Sequence, residues 1–313
     1  MGILFKQVGC KIKQLNGSTL IGDGPIKFKC ISNILGPGLY DENDVMIASW
    51  DELVDDYGLD VERDYTDSHE SEDGYTENPS SFYNISRDNY LIFSNVVKII
   101  MPNNISKLGA YSMTSNDMDS LKTIVLPNSI TSIGNGTFIG LGSITDIAIP
   151  NGVTSIGNQA FTMCRNLSSI EIPNSVTSIG SQAFHGCENL KSAVISTSVT
   201  SIESYTFTDC SILKNITIPN SVTEIGQHAF SGCSSLKNVV IPSDVISIGS
   251  NGFSSCTSLE TIIIPESVTS IGMFTFYNCP NLTIYCEATS KPSGWDYNWN
   301  YENRPVVWGY KIN

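Results

Sequence analysis

From Pro127 onward the chain repeats itself every 23 residues: Pro127, Pro150, Pro173, then Ser196 in the proline place, Pro219, Pro242 and Pro265. A period held without slippage over seven units excludes most globular topologies. Each unit is too short to bury its apolar side chains alone and must stack on its neighbours to share one core. The same columns recur inside every unit. An Ile-Gly step (Ile133-Gly134, Ile156-Gly157, Ile179-Gly180, Ile225-Gly226, Ile248-Gly249, Ile271-Gly272) precedes a phenylalanine column of Phe138, Phe161, Phe184, Phe207, Phe230, Phe253 and Phe276. A cysteine column follows at Cys164, Cys187, Cys210, Cys233, Cys256 and Cys279, and then Leu167, Leu190, Leu213, Leu236, Leu259 and Leu282.

One unit shows what the columns are for. Leu236, Val239 and Ile241 alternate as a short strand does, and Pro242 ends it because proline has no N–H to donate to the next ladder bond. The segment from Ser243 to Gly249 then turns the chain. Phe253 and Cys256, three residues apart, fit one helical turn that points both inward. The expectation is a repeat α/β solenoid, mostly β, with one short strand and a short helical turn per repeat. Phe161, Phe184, Phe207, Phe230 and Phe253 with Cys164, Cys187, Cys210, Cys233 and Cys256 form its structural core.

The array fades at both ends. A unit from Pro102 fits with two extra residues, placing Leu108-Gly109, Met113 and Leu121 in the matching columns. A weaker one from Pro79 keeps every apolar column (Phe82, Ile85, Tyr90, Phe93, Val96, Ile99, Met101) and none of the signature residues, as expected of a capping repeat over 79–101. Repeats then run over 102–285. An aromatic tail over 286–313, with Trp295, Trp299 and Trp308, is placed to cover the last one. Ahead of the array, 1–40 alternates weakly around Asn16-Gly17 and Gly22-Asp23-Gly24 and reads as a small β-rich region. The stretch 41–78 is an acidic linker with a short helix near 50–57, where Ser49-Trp50-Asp51-Glu52 has a capping-box pattern. Residues 1–78 are expected to be either a docking module for an assembly partner or an extended cap, with the acidic part separable from solenoid folding.

The run Ile218-Pro219-Asn220-Ser221-Val222-Thr223-Glu224-Ile225-Gly226-Gln227-His228-Ala229-Phe230-Ser231-Gly232-Cys233-Ser234-Ser235-Leu236 resembles the BspA-like, or Treponema-pallidum-type, leucine-rich repeat. The resemblance covers about 79–285. It implies a curved leucine-rich-repeat array whose strands line the concave side. It also implies the function of surface adhesins and binding proteins, with similar arrays in viral and phage proteins and no catalytic motif to carry over. The expected function is a non-enzymatic adhesion protein that presents its repeats to a protein or glycan ligand, as a structural or receptor-binding component of a phage-like particle. The alternative is an architectural spacer or intracellular interaction scaffold.

Charge and composition narrow the partners. Only 15% of residues are charged, and the formal charge is -14. Fifteen of the 31 acidic residues lie between Asp41 and Glu77 beside a single base, Arg63. That segment is a solvated linker or a cation-capturing one, its best candidate being Asp67, Glu70, Glu72, Asp73, Gly74 and Glu77, whose spacing is not that of an EF-hand loop. Nucleic-acid binding through phosphate neutralisation needs a basic face that this balance does not supply. The first fifteen residues hold no apolar core of signal-peptide length, and no stretch is long enough to span a bilayer. The expectation is synthesis in the cytoplasm, without membrane insertion, and display on a virion or other assembly.

Cysteine and histidine do not group as metal ligands do, since the chain has no C-x-x-C pair and three dispersed histidines, His69, His185 and His228. The cysteine column reads as reduced, buried thiols packed as small hydrophobes. No nucleophile elbow or phosphate loop is present, and no cofactor is expected. In the strand pattern the residue between the last two apolar positions points outward: Val125, Ala148, Glu171, Val194, Thr217, Val240 and Ile263. Two places earlier lies a polar outward column that includes Asn215 and Asn238, and beside it a row of Lys191, Lys214 and Lys237. Val125, Glu171, Val194, Thr217, Val240, Ile263, Asn215 and Asn238 are the candidate ligand-binding residues on the concave face. The competing reading is β propensity alone.

Overall fold

The computed structural model describes residues 38–44, 46–49, 96–110, 112–113 and 118–311. They form a mostly-β solenoid of about nine coils. Each coil contributes two short strands where the sequence pattern predicted one. The first face runs through Lys98–Ile100, Thr123–Val125, Asp146–Ile147, Ser169–Glu171, Ser192–Val194, Asn215–Ile216, Asn238–Val240, Thr261–Ile264, Thr283–Cys286 and Val306–Trp308. Its strands are parallel and in register at the repeat spacing, as in Ser169, Ser192 and Asn215, although the ladder breaks after Asp146–Ile147 and after Asn215–Ile216.

The second face is built from the step that the sequence reading assigned to a turn. Pro127 and its equivalents do end the first strand, and their carbonyls accept the amide three residues on, as Val153 N–H does to Pro150 at 3.0 Å. The chain then re-enters a ladder as two-residue strands, from Lys107–Leu108 and Ser132–Ile133 to Ser247–Ile248 and Ser270–Ile271. Two residues per coil are too few for a strand signal in sequence. Stacking makes them one, because each Ser-Ile step pairs with the same step a coil away.

The third side corrects the expected helical turn, since the described residues contain no helix. Between the Gly and Cys columns two residues per coil have positive φ, Gln159 (58°) and Met163 (60°) in one unit, Asn251 (56°) and Ser255 (58°) in another. A left-handed residue cannot continue a right-handed helix. The amides of Gln159, Phe161 and Met163 donate instead to the carbonyls of Ser181, Ala183 and His185 in the next coil at 2.7–2.9 Å, while Thr162 and Cys164 close four-residue turns. Stacking thus absorbs amides that a helix would have used internally.

All three sides surround one continuous core. The phenylalanines from Phe138 to Phe276 are buried and stacked, with centroids 5.1–6.1 Å apart. The column ends edge-on against Trp299 at 6.0 Å, and Trp299 in turn meets Trp295 at 4.7 Å and Trp308 at 6.3 Å. In the unit from Pro102, Leu108, Met113 and Leu121 are buried. Of the weaker unit, Val96, Ile99 and Met101 are described and buried.

At the N-terminal end Gly38–Tyr40 lies antiparallel to both Met46–Ser49 and Lys98–Ile100, with Leu39 and Tyr40 fully buried. This hairpin covers the first edge strand and carries an ion pair from Lys98 to Asp44. Leu39 and Tyr40, ahead of the acidic part, thus belong to the packed body of the array. The expected helix near 50–57, the acidic cluster from Asp67 to Glu77 and His69 lie outside the described residues.

Candidate functional site

The outward column of the first face emerges where alternation puts it. Val125, Glu171, Val194, Thr217 and Val240 are exposed, and Ile263 is half-buried. Val194 and Val240 keep 59% and 58% of their surface open, which no core contact explains. Asn215 and Asn238 lie exposed in the neighbouring column, where the Thr261 hydroxyl donates to Asn238 Oδ1 at 2.5 Å. Lys191, Lys214 and Lys237 are exposed alongside, with Lys237 3.9 Å from Glu260.

The apolar column does not stop at Ile263. Register carries it through Tyr285 to Val307, so Val240, Ile263, Tyr285 and Val307 stand on four consecutive strands. Tyr310 packs its ring against Tyr285 at 4.9 Å. Sequence reading missed this extension because the last units are 22 residues apart; Leu282-Thr283-Ile284 is one residue shorter than Leu259-Glu260-Thr261-Ile262. The alternation through Ile284, Tyr285 and Cys286 was the available signal.

The cysteine column faces inward, with no exposed sulfur. Each thiol donates to the carbonyl of the phenylalanine one coil back, Cys187 to Phe161 at 3.2 Å and Cys279 to Phe253 at 3.1 Å. Burial pushes Cys187 up to about 12 and Cys279 to about 11. These groups are therefore neutral at ordinary pH and poor nucleophiles. All seven described cysteines, Cys286 included, are free thiols, and among the described residues no three metal-ligating side chains meet. His228 stacks on Tyr205 at 4.7 Å and 8°, and partial burial lowers its pKa. His185 sits in the same solenoid with no ring partner among the described residues.

The family model for the BspA type leucine-rich repeat region matches residues 84–214 and 200–290, in six copies. The chain belongs to this family. Solved structures similar to this BspA-type array include a leucine-rich repeat protein from Bacteroides ovatus, at 30% identity over 61% of this chain and 55% of that one, with a TM-score of 0.49. The T. pallidum leucine-rich repeat protein matches at 26% identity over 45% and 65%, with a TM-score of 0.42. One from Eubacterium ventriosum matches at 21% identity over 63% and 66%, with a TM-score of 0.44. The match thus spans about half to two thirds of those chains. No curated protein matches.

Within the BspA-type array one unit is irregular. Residues 196–218 carry Ser196 for proline and Glu203 for the glycine of the Ile-Gly step. A Cβ on that glycine elsewhere would sit 2.4–2.7 Å from the backbone of the preceding coil, as at Gly180 and Gly226, so the column tolerates no side chain without separation. On this face Ser178–Ile179 and Ser201–Ile202 are not paired, whereas the other neighbours are, although the two coils stay joined on the third side through Gln182 to Ser204 and Phe184 to Thr206 at 3.0 and 2.9 Å. The bond from Gly180 N–H to the Ile156 carbonyl, at 2.9 Å, has no counterpart at Glu203. Two adjoining grooves of about 450 Å³ each run along the paired coils before this unit and share Asn135, Asn158 and Ser181; one follows the glycine column of Gly134, Gly157 and Gly180 and ends at Glu203, and the other reaches Gln182, Ser204 and Tyr205. No helix among the described residues is long and apolar enough to cross a membrane.

Proposed function

We propose that this chain is a non-enzymatic binding protein whose first face holds a protein ligand against the outward apolar column, in the manner of an adhesin. The exposed valines carry the reading. Val194, Val240 and Val307 leave 59%, 58% and 41% of their surface open on a solenoid whose other apolar columns are closed to water. An in-register apolar strip rimmed by Asn, Ser and Thr is the make-up of an interface core with its polar rim. The columns that could suggest chemistry, Phe, Cys and Gly, are each accounted for by packing. The tryptophans of the tail close one end, which supports reading 286–313 as a cap; at the other the hairpin of Gly38–Tyr40 and Met46–Ser49 shares the capping role with 79–101, and the rest of 1–78 is the attachment region.

The test is the triple change of Val194, Val240 and Ile263 to Ser. The expected result is an unchanged melt and at least a tenfold loss of adhesion of the purified chain to cells, whether the native array is displayed on a cell or on a particle. If adhesion survives that change and is abolished by changes in residues 1–78, the array is a spacer.

A further inference from the structure

We propose that the groove beside Glu203 is a second binding site, on a different side of the solenoid from the apolar column, for a neutral, extended, β-1,4-linked oligosaccharide lying along the solenoid axis. The observation is local and chemical. The small side chains of the glycine column leave a trough over three coils, and the one unit that loses both the proline and the glycine of its columns ends it with Glu203 and Tyr205. A sequence that kept Gly at this column would continue the trough into the next coil instead of ending it at Glu203.

The lining matches a sugar. Asn135 and Asn158 spend Oδ1 on the chain, accepting from the amides of Asn158 and Ser181 at 2.8 Å, which leaves their Nδ2 groups as donors. Gln182 accepts from Gln159 through Oε1 at 2.5 Å and likewise retains its amino group. These amino groups are donors for the hydroxyl oxygens of a sugar. Tyr205, backed by the His228 ring, offers the flat apolar surface on which the C–H face of a pyranose packs. The lining contains no base and one carboxylate, Glu203, which receives the Ser201 hydroxyl at 2.6 Å. That charge pattern disfavours anionic polysaccharides. Successive rungs of the groove lie one coil apart, about 4.8 Å, and a β-1,4-linked chain presents a sugar at about that interval while an α-1,4-linked chain curls away. Each groove is of the size that takes a small ligand.

Titration calorimetry of the full chain with cellotetraose and chitotetraose tests the site, with maltotetraose as the curved control. Saturable binding of at least one β-1,4 tetramer is expected, with maltotetraose at least tenfold weaker. Tyr205→Asn removes the ring yet suits the positive φ of that position, and is expected to weaken binding at least fivefold with the melt preserved. The Val194, Val240 and Ile263 triple variant keeps saccharide binding, so failure of the adhesion reading and of this one are separate results. The proposal is overturned if neither β-1,4 tetramer saturates, if maltotetraose binds equally well, or if a folded Tyr205→Asn variant binds as the unaltered chain does.

Discussion

The thiol of each repeat cysteine is held between two demands that only a small, weakly polar side chain meets: it fills a closed core position and donates to the phenylalanine carbonyl one coil back. Burial raises the folded pKa, to about 12 at Cys187 and Cys286, above the ordinary thiol value near 8.5. For a raised pKa the stabilisation is complete below the unfolded value and is lost as pH climbs toward the folded one, because only the unfolded chain releases the proton. Chemical unfolding followed from pH 8 to 10 should therefore show stability falling above about pH 8.5, by roughly 1.4 kcal/mol per buried thiol per pH unit. Cys210→Ala should make that fall shallower and cost about 1–2 kcal/mol at neutral pH. Alkylation at pH 8 should spare all seven described thiols until the chain is unfolded; rapid native labelling of the column would contradict the burial. Gly186 marks the opposite constraint. Its φ is +70°, and a Cβ there would lie 2.8 Å from Met163 Sδ, so Gly186→Ala should lower stability by about 1–2 kcal/mol in a thermal melt.

At the scale of the element, each strand and turn exists because its neighbour does. Ser178–Ile179 has two residues, which is no strand in isolation, yet its pairing with Ser155–Ile156 makes it a rung. The same dependence bears on the missing rung between Ser178–Ile179 and Ser201–Ile202, which falls where Glu203 stands in the glycine column. Glu203→Gly should restore the bond to the Ile179 carbonyl and raise stability by about 1 kcal/mol, read as a higher melting temperature; an unchanged or lower one would mean that something else keeps the rung from forming. At the far end Trp299 lies edge-on to Phe276 with only 6% of its surface open. Trp299→Ala should cost about 3–5 kcal/mol and increase hydrogen exchange first in the coil of Phe276, since each coil is supported by its neighbours alone.

The molecule as a whole is a stack with two dissimilar ends, and the ends decide whether it stays soluble. Leu39 and Tyr40 cover the first coil through the pairing of Gly38–Tyr40 with Lys98–Ile100, so a chain beginning at Glu77 should expose that edge and aggregate or melt lower than the full chain, as light scattering and circular dichroism would show. Much of this architecture was legible in one dimension. The 23-residue period fixes stacking, because no unit can close a core alone, and alternation at Val194 or Val240 fixes which residues face out, because side chains on a strand alternate in direction. The number of strands per coil was not legible, nor was the absence of helix among the described residues. Phe253 and Cys256 have helical spacing and are both buried, but Asn251 and Ser255 reach left-handed φ only because amides between them find carbonyls in the next coil. The hairpin over the first coil, the continuation of the apolar column through Tyr285 to Val307 and the missing rung at Glu203 also belong to tertiary structure. Each depends on which backbone lies beside which, a relation between residues about one coil or more apart that local sequence pattern does not carry.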